Sequence, residues 1–410
     1  MTTQVVTSRG TALSRCVACT TEAFAETYWG REPLLSRSDD LDSDFTDLFS
    51  PSAADELVSE RGLRTPFVRM AKNGVIQPAG SFTRGGGAGA GISDQAADDR
   101  ITAAMADGST LVLQGLHRTW PPLVRFGARL AEEIGHPVQI NAYVTPPQSR
   151  GFAPHHDIHD VFVLQITGQK HWTIHEPVVT DPLGNQSFDH YKSEIAGRVT
   201  DPALIDTTLD TGDALYLPRG VIHSAEALGE TSIHLTIGVH PVTRTLLTKF
   251  IVDALQSDPE IRTSLPMGVD LANPEVLAPH VDATINAIRA ALDSVSETRI
   301  ATQLGADLMQ RTRPEPVGPL DQLRTADTLT HSTPLRRRGS LRFVIRDNSP
   351  ETIEIVFLDR SLSLPATTAD AVSLAMAGTP FAVADLPSLN SEEQLVLARR
   401  LLREGLLVPA

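Results

Sequence analysis

The sequence predicts a mixed α+β fold in which an antiparallel β-sandwich or barrel lies between helical segments. Short β-type runs separated by turn residues fill the stretch from Val138 to Val239. Apolar residues recur at helical spacing before this stretch, from Leu123 to Ile134, and after it, from Val281 to Val295. The chain has 410 residues, which is too long for one ordinary core, so we expect two or three domains.

Composition and charge narrow the class of protein. Hydrophobic residues make up 41% and charged residues 21%, values typical of a globular protein. No apolar run is long enough to span a membrane and the start lacks the apolar core of a signal peptide, so we predict a cytoplasmic protein. The net charge of −15 argues against nucleic-acid binding and permits a basic protein partner. The lone pair Cys16 and Cys19 lacks the second ligand pair of a zinc site.

Local patterns predict the individual elements. A helix from Leu123 to Ile134 ends at Gly135, the residue that favours a left-handed helix stop. The glycine-rich run 85–91 lacks the following Lys-Ser or Lys-Thr of a phosphate loop, so we interpret it as a linker or mobile flap. Four runs are predicted strands: Val161–Ile166, His171–Ile174, Ala214–Leu217 and Ser232–Ile237.

The last part of the chain predicts a small domain of helices and strands. A strand is expected from Ile353 to Leu358, followed by a helix with a capping box over Ser391–Gln394 and a stop at Gly405. Before it, one helical face carries an apolar stripe that should pack against a neighbouring helix or a second subunit. The stripe consists of Val281, Ile285, Ile288, Leu292 and Val295.

A candidate metal site combines two histidines and an aspartate. His155 and Asp157 stand two apart at the entrance to a predicted strand, so both side chains should point to the same side. His223 follows the turn Pro218-Arg219-Gly220. Two imidazoles and one carboxylate on one face of an octahedron are typical of non-haem Fe(II) oxygenases and leave positions open. A His-x-Asp pair alone is more often a solvated surface group, but here an almost wholly apolar strand follows it.

Several motifs around these residues resemble the Jumonji C ribosomal oxygenases of the cupin-like type. Weaker similarity extends outward to Tyr28–Leu35 and Leu111–Gly115, so that nearly the whole chain is covered. The motifs that carry the resemblance are Asn141–Pro147, Gly151–Asp157, Asp160–Gln165, Gly168–Trp172, Leu217–His223 and His234–Thr236.

The resemblance implies an architecture as well as a site. It implies a double-stranded β-helix barrel of the Jumonji C or cupin-like kind, a helical dimerisation region and a C-terminal winged-helix domain. We therefore expect N-terminal α/β elements that pack on the barrel in residues 1–95, the catalytic barrel in 96–245, the dimerisation region in 246–318 and the winged helix in 319–410. A homodimer is the expected assembly.

The resemblance also assigns roles to single residues. His155, Asp157 and His223 match the residues that bind iron, and Lys170 matches the lysine that binds the far carboxylate of 2-oxoglutarate. A carboxylate deep in a barrel requires a buried cation. We expect Lys170 just past a tight turn, on the strand paired with the one that follows Asp157, although by itself it would pass for an exposed hairpin lysine. Asn141 and Tyr143 match positions lining the cosubstrate and substrate pocket, and satisfied core polar groups are their alternative.

The activity implied is hydroxylation of a protein side chain with Fe(II), 2-oxoglutarate and O2. The expected substrate is an arginine or histidine of a ribosomal protein. Three alternatives stay open: another peptide or a small molecule, N-methyl-lysine demethylation, and a binding module without catalysis. His156 and Gly238 depart from residues found in related sequences on the substrate side, which leaves the target residue open.

Overall fold

The computed structural model describes residues 11–41, 44–150 and 152–410. These residues form two compact units. The first holds the described residues up to Pro241 together with Pro314–Asp327 and Arg338–Ser340. The second holds Val242–Arg313, Thr328–Arg337 and Leu341–Ala410. The four domain ranges expected from the sequence remain predictions.

Helices occur in both units, and the predicted helix before the β-rich stretch is confirmed. It begins with Pro121 and ends at Gly135, which has a φ of 78°. Among the described residues the α-helices are α1 (Thr21–Ala23), α2 (Pro51–Ser59), α3 (Asp98–Ala106), α4 (Leu116–Thr119), α5 (Pro121–Ile134), α6 (Lys192–Arg198), α7 (Arg244–Leu255), α8 (Pro274–Leu292), α9 (Glu297–Arg311), α10 (Pro319–Asp327), α11 (Ala369–Met376) and α12 (Ser391–Arg403).

The four predicted strands of the middle segment are all present. The strands of the described residues are β1 (Leu34–Ser36), β2 (Val68–Lys72), β3 (Val75–Ile76), β4 (Thr83–Arg84), β5 (Gln95–Ala96), β6 (Thr110–Leu113), β7 (Val138–Thr145), β8 (Asp160–Thr167), β9 (Lys170–His175), β10 (Ile205–Leu209), β11 (Ala214–Leu217), β12 (Ile222–Ala227), β13 (Ser232–Val239), β14 (Pro334–Arg337), β15 (Phe343–Ser349), β16 (Thr352–Phe357), β17 (Arg360–Pro365), β18 (Phe381–Ala382) and β19 (Leu407–Pro409).

Two antiparallel sheets form the centre of the first unit. An eight-stranded sheet has the order β1-β11-β8-β13-β7-β6-β2-β3, and a three-stranded sheet has the order β10-β9-β12. Their inner faces share one apolar cluster, with Val163 and Leu215 from the large sheet and Trp172 and Ile174 from the small one. The sheets therefore enclose a cavity between them, as the predicted sandwich or barrel requires.

The outer face of the large sheet is covered by helices. Because strand side chains alternate, Phe162 and Leu164 of β8 point away from the cavity. They belong to the same buried cluster as Leu123 and Leu130 of α5. This second apolar layer fixes β8 from behind, so that its inner face is held rigidly toward the cavity.

The connection between β8 and β9 corrects one expectation. Lys170 was expected on a strand paired with the strand that follows Asp157, but β8 pairs with β11 and β13, whereas β9 pairs with β10 and β12. The turn switches the chain from one sheet to the other. Gly168 permits this with a φ of 66°, and a Cβ there would lie 2.4 Å from the Thr231 carbonyl oxygen.

The glycine-rich run is an exposed loop within the first unit. It joins β4 to β5, which pair with each other inside this unit, so the run does not link the two units; its interpretation as a mobile flap stays a prediction. Gly87 and Gly89 have positive φ values of 82° and 79°. The run thus serves as a turn between two short paired strands.

The second unit contains the remaining helices and two three-stranded sheets, β18-β14-β19 and β15-β16-β17. The predicted strand ends at Phe357, because Leu358 adopts a left-handed turn with a φ of 51°. The predicted capping box is displaced by one residue. Asn390 is the N-cap, its side chain accepts from the backbone of Glu393, and the Glu393 carboxylate accepts from the backbone of Asn390.

Part of the predicted apolar stripe on α8 is exposed. Val281, Ile285 and Leu292 are 55%, 41% and 44% exposed in the single chain. These three side chains therefore stay largely exposed within the second unit. The expectation that a second copy of the chain covers them remains a prediction. In the described part of the chain, no helix combines the length and apolar character needed to cross a membrane.

Candidate functional site

Two of the predicted metal ligands are held together by the backbone. His223 is the second residue of β12, and His155 lies outside the regular strands in a bridge with it. The His155 amide donates to the His223 carbonyl at 3.2 Å, and the His223 amide donates to the His155 carbonyl at 2.9 Å. Since directly paired residues point to the same face, both imidazoles face the cavity, with ring centroids 4.4 Å apart.

Asp157 completes the cluster. Strand alternation was the reason for expecting His155 and Asp157 on one side, but β8 begins only at Asp160, so both residues precede it in an irregular segment. Asp157 nevertheless brings a carboxylate oxygen to 3.8 Å from His223 Nε2. Across the three side chains one nitrogen or oxygen each lies within 4.8 Å of the others.

Hydrogen bonds leave the correct ring nitrogens available. His155 Nδ1 donates to the Ala153 carbonyl at 2.9 Å, and His223 Nδ1 donates to the Val221 carbonyl at 3.1 Å. The Nε2 atoms therefore carry the lone pairs, and that of His223 lies 3.8 Å from the Asp157 carboxylate. A backbone partner on the far nitrogen is the usual way in which a metal-binding histidine is oriented.

Electrostatics place the cluster in the protonation state that a cation requires. Burial and the neighbouring His155 lower the pKa of His223 to about 4, against the opposing effect of Asp157. Burial raises the pKa of Asp157, but the imidazoles of His159, His223 and His155 outweigh it and hold that pKa below its ordinary value. At neutral pH the site thus presents a neutral imidazole at His223 beside an ionised carboxylate.

Lys170 lies inside the barrel. It is 4% exposed, and its ammonium donates to Thr145 Oγ1 at 3.2 Å and to His234 Nδ1 at 3.4 Å. Burial lowers the pKa of Lys170 to about 7. The expectation of a buried cation therefore agrees with its position, while the exposed-hairpin alternative does not. No carboxylate forms an ion pair with it among the described residues.

His234 positions this lysine. Its pKa is held well below the ordinary value by burial and by the neighbouring Lys170, so the ring is neutral and can accept the lysine's hydrogen bond. One face of the His234 ring stacks on the Tyr143 ring, with centroids 5.0 Å apart and an angle of 3° between the planes. His234 carried part of the family resemblance but was left out of the predicted site, because a core histidine hydrogen-bonded to the backbone was at least as good an interpretation of its place in the strand.

Tyr143 and Trp172 each bring an unpartnered donor to the cavity. In the described part of the chain the Tyr143 hydroxyl makes no hydrogen bond, and the buried Trp172 indole nitrogen has no partner either. The Trp172 ring centroid lies 6.2 Å from that of His223 and 5.5 Å from that of His234. Trp172 was recognised only as part of a motif, not as a site residue.

Asn141 is tied to the scaffold more closely than Tyr143. It shares a strand face with Tyr143, as expected, and its side-chain oxygen accepts from the Gly115 amide at 3.0 Å. This bond joins β7 to the segment that follows β6. The role of Asn141 in binding a cosubstrate remains a prediction, since only its amide nitrogen is left for a ligand.

The two departures from the family pattern occupy different places. His156 is buried, with Nε2 donating to the Gln186 carbonyl at 3.0 Å and its ring centroid 5.7 Å from that of Tyr191. Gly238 lies on β13 opposite Gln139, and a Cβ added there would meet the His159 ring at 3.1 Å. His156 is thus a scaffold residue, whereas Gly238 makes room for a neighbouring ring.

Comparisons with known proteins agree with this arrangement. Residues 120–247 match the family described as the JmjC domain. This range contains the three clustered side chains and Lys170, as well as β7 to β13.

Curated relatives carry names that refer to oxygenase activity. The chain is 27% identical over 417 residues to the bifunctional lysine-specific demethylase and histidyl-hydroxylase NO66 of Drosophila mojavensis, covering 95% of this chain and 45% of that protein. It is 30% identical over 334 residues to human ribosomal oxygenase 1, covering 69% and 50%. The chain therefore spans about half the length of these relatives.

Solved structures extend the likeness to the fold of almost the whole chain. The Escherichia coli ribosomal oxygenase YcfD aligns with a TM-score of 0.52 at 17% identity, covering 96% of this chain and 98% of that one. Its complex with cobalt and 2-oxoglutarate aligns with a TM-score of 0.51 at 18% identity. The expected Jumonji C or cupin-like fold with mixed α and β content is confirmed. Residues 120–247 thus form a JmjC domain, and the chain is a homologue of the ribosomal oxygenases.

Proposed function

We propose that this chain is an Fe(II)- and 2-oxoglutarate-dependent oxygenase that hydroxylates a protein side chain, a histidine or arginine of a ribosomal protein. The observation that carries the proposal is the cluster of His155, Asp157 and His223 facing a cavity that also contains the buried Lys170. Hydroxylation with Fe(II) and 2-oxoglutarate requires a metal site and, in the same barrel, a buried cation that binds the far carboxylate of 2-oxoglutarate.

The donor set fits a divalent metal ion. Neighbouring ligands about 2.1 Å from an octahedral metal lie about 3.0 Å apart. His223 Nε2 and Asp157 Oδ2 are separated by 3.8 Å and would have to approach each other by less than about 1 Å. The widest spacing in the cluster, within 4.8 Å, closes by a small side-chain rotation. Three protein ligands on one side leave the remaining positions of an octahedron open to the cavity.

The cavity also fits a dicarboxylate. Lys170 has a charge but no carboxylate partner in the described residues, and Trp172 has a buried N–H without an acceptor. A buried unpaired donor is destabilising, and a carboxylate in this place would accept from both. We assign the far carboxylate of 2-oxoglutarate to Lys170, with Thr145 and His234 holding the ammonium in place.

Iron bound here would supply dioxygen activation coupled to decarboxylation of 2-oxoglutarate to succinate, with one oxygen atom entering a substrate C–H bond. The protein's own contributions are steric and electrostatic. His155 and His223 hold fixed Nε2 atoms toward the cavity, and Asp157 supplies the negative charge. The inner faces of the two sheets carry apolar side chains such as Val163 and Ile174, which would limit the access of water to the reacting groups.

The substrate class rests on the relatives. The names of the relatives include ribosomal oxygenase, histidyl-hydroxylase and lysine-specific demethylase. Since this chain matches only half of those proteins, the ribosomal substrate is our proposal for it. The net charge of −15 suits a basic ribosomal protein as the partner. The cytoplasm, predicted from the sequence, is where we propose that the two meet.

Mass spectrometry of ribosomal proteins tests this function. Proteins from a deletion strain and its parent are compared, and we expect one histidine or arginine to gain the mass of one oxygen atom only in the parent. Purified protein with Fe(II) and 2-oxoglutarate should restore the modification to the deletion-strain protein. If the methyl group of an N-methyl-lysine is lost instead, the demethylase alternative applies, and identical spectra from both strains would contradict the proposal.

Lys170 makes cosubstrate binding depend on pH. Its pKa of about 7 in the free protein means that it is charged below that pH and neutral above it. Above pH 7 the dianion must bind together with a proton, so we expect the dissociation constant to rise about tenfold per pH unit from about 7 to 9. Isothermal titration calorimetry with Mn(II)-loaded protein measures it. In Lys170→Arg, which stays protonated, the pH dependence should disappear; a slope that persists contradicts the assignment.

We also propose that residues 246–318 supply a dimerisation surface and that residues 319–410 form a winged-helix domain, as the sequence predicts. The exposed face of α8 supports the first part, since Val281, Ile285 and Leu292 form an apolar strip. The combination of α11 and α12 with short antiparallel strands supports the second. A homodimer through α8 would remove the strip from water.

A further inference from the structure

Arg69 lies at the edge of the large sheet, in line with the site. In β2 it pairs with Val112 of β6, Val112 pairs with Tyr143 of β7, and Tyr143 pairs with His234 of β13. Directly paired residues share a face, so these four side chains form one row on the face that lines the cavity. Nothing in the local sequence of β2 indicated this position.

The Arg69 guanidinium has no partner of its own. The side chain is partly buried, yet among the described residues it forms neither a hydrogen bond nor an ion pair. Other arginines nearby behave differently, since Arg64 pairs with Asp94 at 2.6 Å. A partly buried guanidinium without an acceptor is unusual, because it presents five donors and loses water when buried.

The guanidinium is close enough to act on the centre of the site. Burial and the charge of Asp157 raise the pKa of Tyr143 to about 12, and the positive charge of Arg69 opposes that rise. Tyr143 thus lies within the electrostatic reach of both Asp157 and Arg69. Lys170 contacts His234, which lies one strand further from Arg69 than Tyr143 does, so Tyr143 lies between the two cations along the row.

The net charge of the site with metal and cosubstrate bound determines which substrate side chains can lie beside the guanidinium. With a divalent metal, Asp157, a doubly charged 2-oxoglutarate and Lys170 in place, the positive and negative charges cancel. Arg69 then adds an uncompensated positive charge on the substrate side. A second cation about 4 Å from it would be repelled at a protein-surface dielectric, which should weaken its binding by at least about tenfold.

We propose that Arg69 contacts the substrate and determines its class: its guanidinium donates to an acceptor on the reacting side chain, so that the site takes a neutral side chain such as histidine and rejects arginine. The wall beside it suits a planar ring. Tyr143 and Phe152 meet edge to face with centroids 6.2 Å apart, and Phe152 lies 5.8 Å from the His155 ring. This inference rests on the proposed function and narrows its two candidate residues to one.

Binding to paired peptides tests the inference without turnover. The protein is first saturated with Mn(II) and 2-oxoglutarate. Fluorescence anisotropy then measures its affinity for synthetic peptides, each centred on one histidine of a ribosomal protein from the same organism. Each peptide is also made with arginine in place of the central histidine. We expect the best histidine peptides to bind at least about tenfold tighter than their arginine forms.

Variants separate a substrate contact from a structural role. Arg69→Gln should weaken the histidine peptide by about 10- to 100-fold, the size of a charge-assisted hydrogen bond, and should also shrink the preference over arginine. Its affinity for 2-oxoglutarate should stay unchanged. Arg64→Gln, on the neighbouring exposed surface, is the matched control and should change neither value.

Each contrary result overturns a defined part of the argument. Equal or tighter binding of the arginine peptides, an unchanged affinity in Arg69→Gln, or weakened 2-oxoglutarate binding in that variant would overturn the role of Arg69. If the wild type binds 2-oxoglutarate but none of the peptides, the substrate class is overturned and the cosubstrate site stands. If the wild type does not bind 2-oxoglutarate with Mn(II), the proposed function fails and the role of Arg69 fails with it.

Discussion

Replacing His223 by alanine should abolish 2-oxoglutarate turnover and reduce metal affinity by more than about 100-fold. The reason is that loss of a residue that merely orients a ligand already costs 10- to 100-fold, and His223 is proposed to be a ligand itself. Succinate formation measures turnover, and Mn(II) titration followed by electron paramagnetic resonance measures affinity.

A matched histidine controls for damage to the fold. His171 lies on the neighbouring strand β9, opposite Glu226 of β12, and its partly exposed side chain pairs with Asp206 at 2.7 Å. His171→Ala should retain turnover and metal affinity. If His223→Ala binds Mn(II) as tightly as the wild type while both variants unfold at similar temperatures, His223 is not a ligand and the metal site as proposed is wrong.

Replacing Lys170 by methionine should have opposite effects on binding and stability. The dissociation constant of 2-oxoglutarate should rise about 100-fold, because a buried charge-assisted contact with the carboxylate is lost. The protein without cosubstrate should become more stable by about 2 kcal/mol, because methionine carries no charge to desolvate. This corresponds to a rise in the unfolding temperature of roughly 5 °C.

Calorimetric titration and thermal unfolding measure the two effects on the same sample. Lys72→Met is the control, since Lys72 is a more exposed lysine that pairs with Asp107 at 2.6 Å. It should alter neither the affinity nor the unfolding temperature appreciably. Should Lys170→Met bind 2-oxoglutarate as well as the wild type, the carboxylate is held elsewhere in the barrel. A lower unfolding temperature would show that the lysine stabilises the free protein.

Much of the barrel could be predicted because its strands have strong local patterns. β8 and β13 are rich in β-branched and apolar residues, and the turns between strands contain glycine or proline. β12 escaped prediction because its sequence, Ile-His-Ser-Ala-Glu-Ala, has few residues that favour strands. It becomes a strand by pairing with β9 along its whole length, a tertiary effect that outweighs local preference.

The site was predictable in its residue types but not in its spatial relations. The pairing of His155 with His223 joins distant parts of the chain, and no local pattern contains that information. The burial of Lys170 follows from the change of sheet at Gly168, whereas a hairpin alone would have left it exposed. Trp172, His234 and Arg69 act through neighbours contributed by other strands, which is why the sequence singled out none of them.

The double hydrogen bond between His155 and His223 divides the metal site into a preorganised pair and an adjustable third arm. Folding alone sets the spacing of the two imidazoles, so binding of a metal ion does not have to order them further. Asp157, whose side chain is 31% exposed and lies outside any strand, is the group least constrained by the backbone, so we expect it to adjust to a bound ion. Exchange of one divalent ion for another should therefore be governed by how tightly the carboxylate closes, and discrimination among ions by size resides in that one side chain.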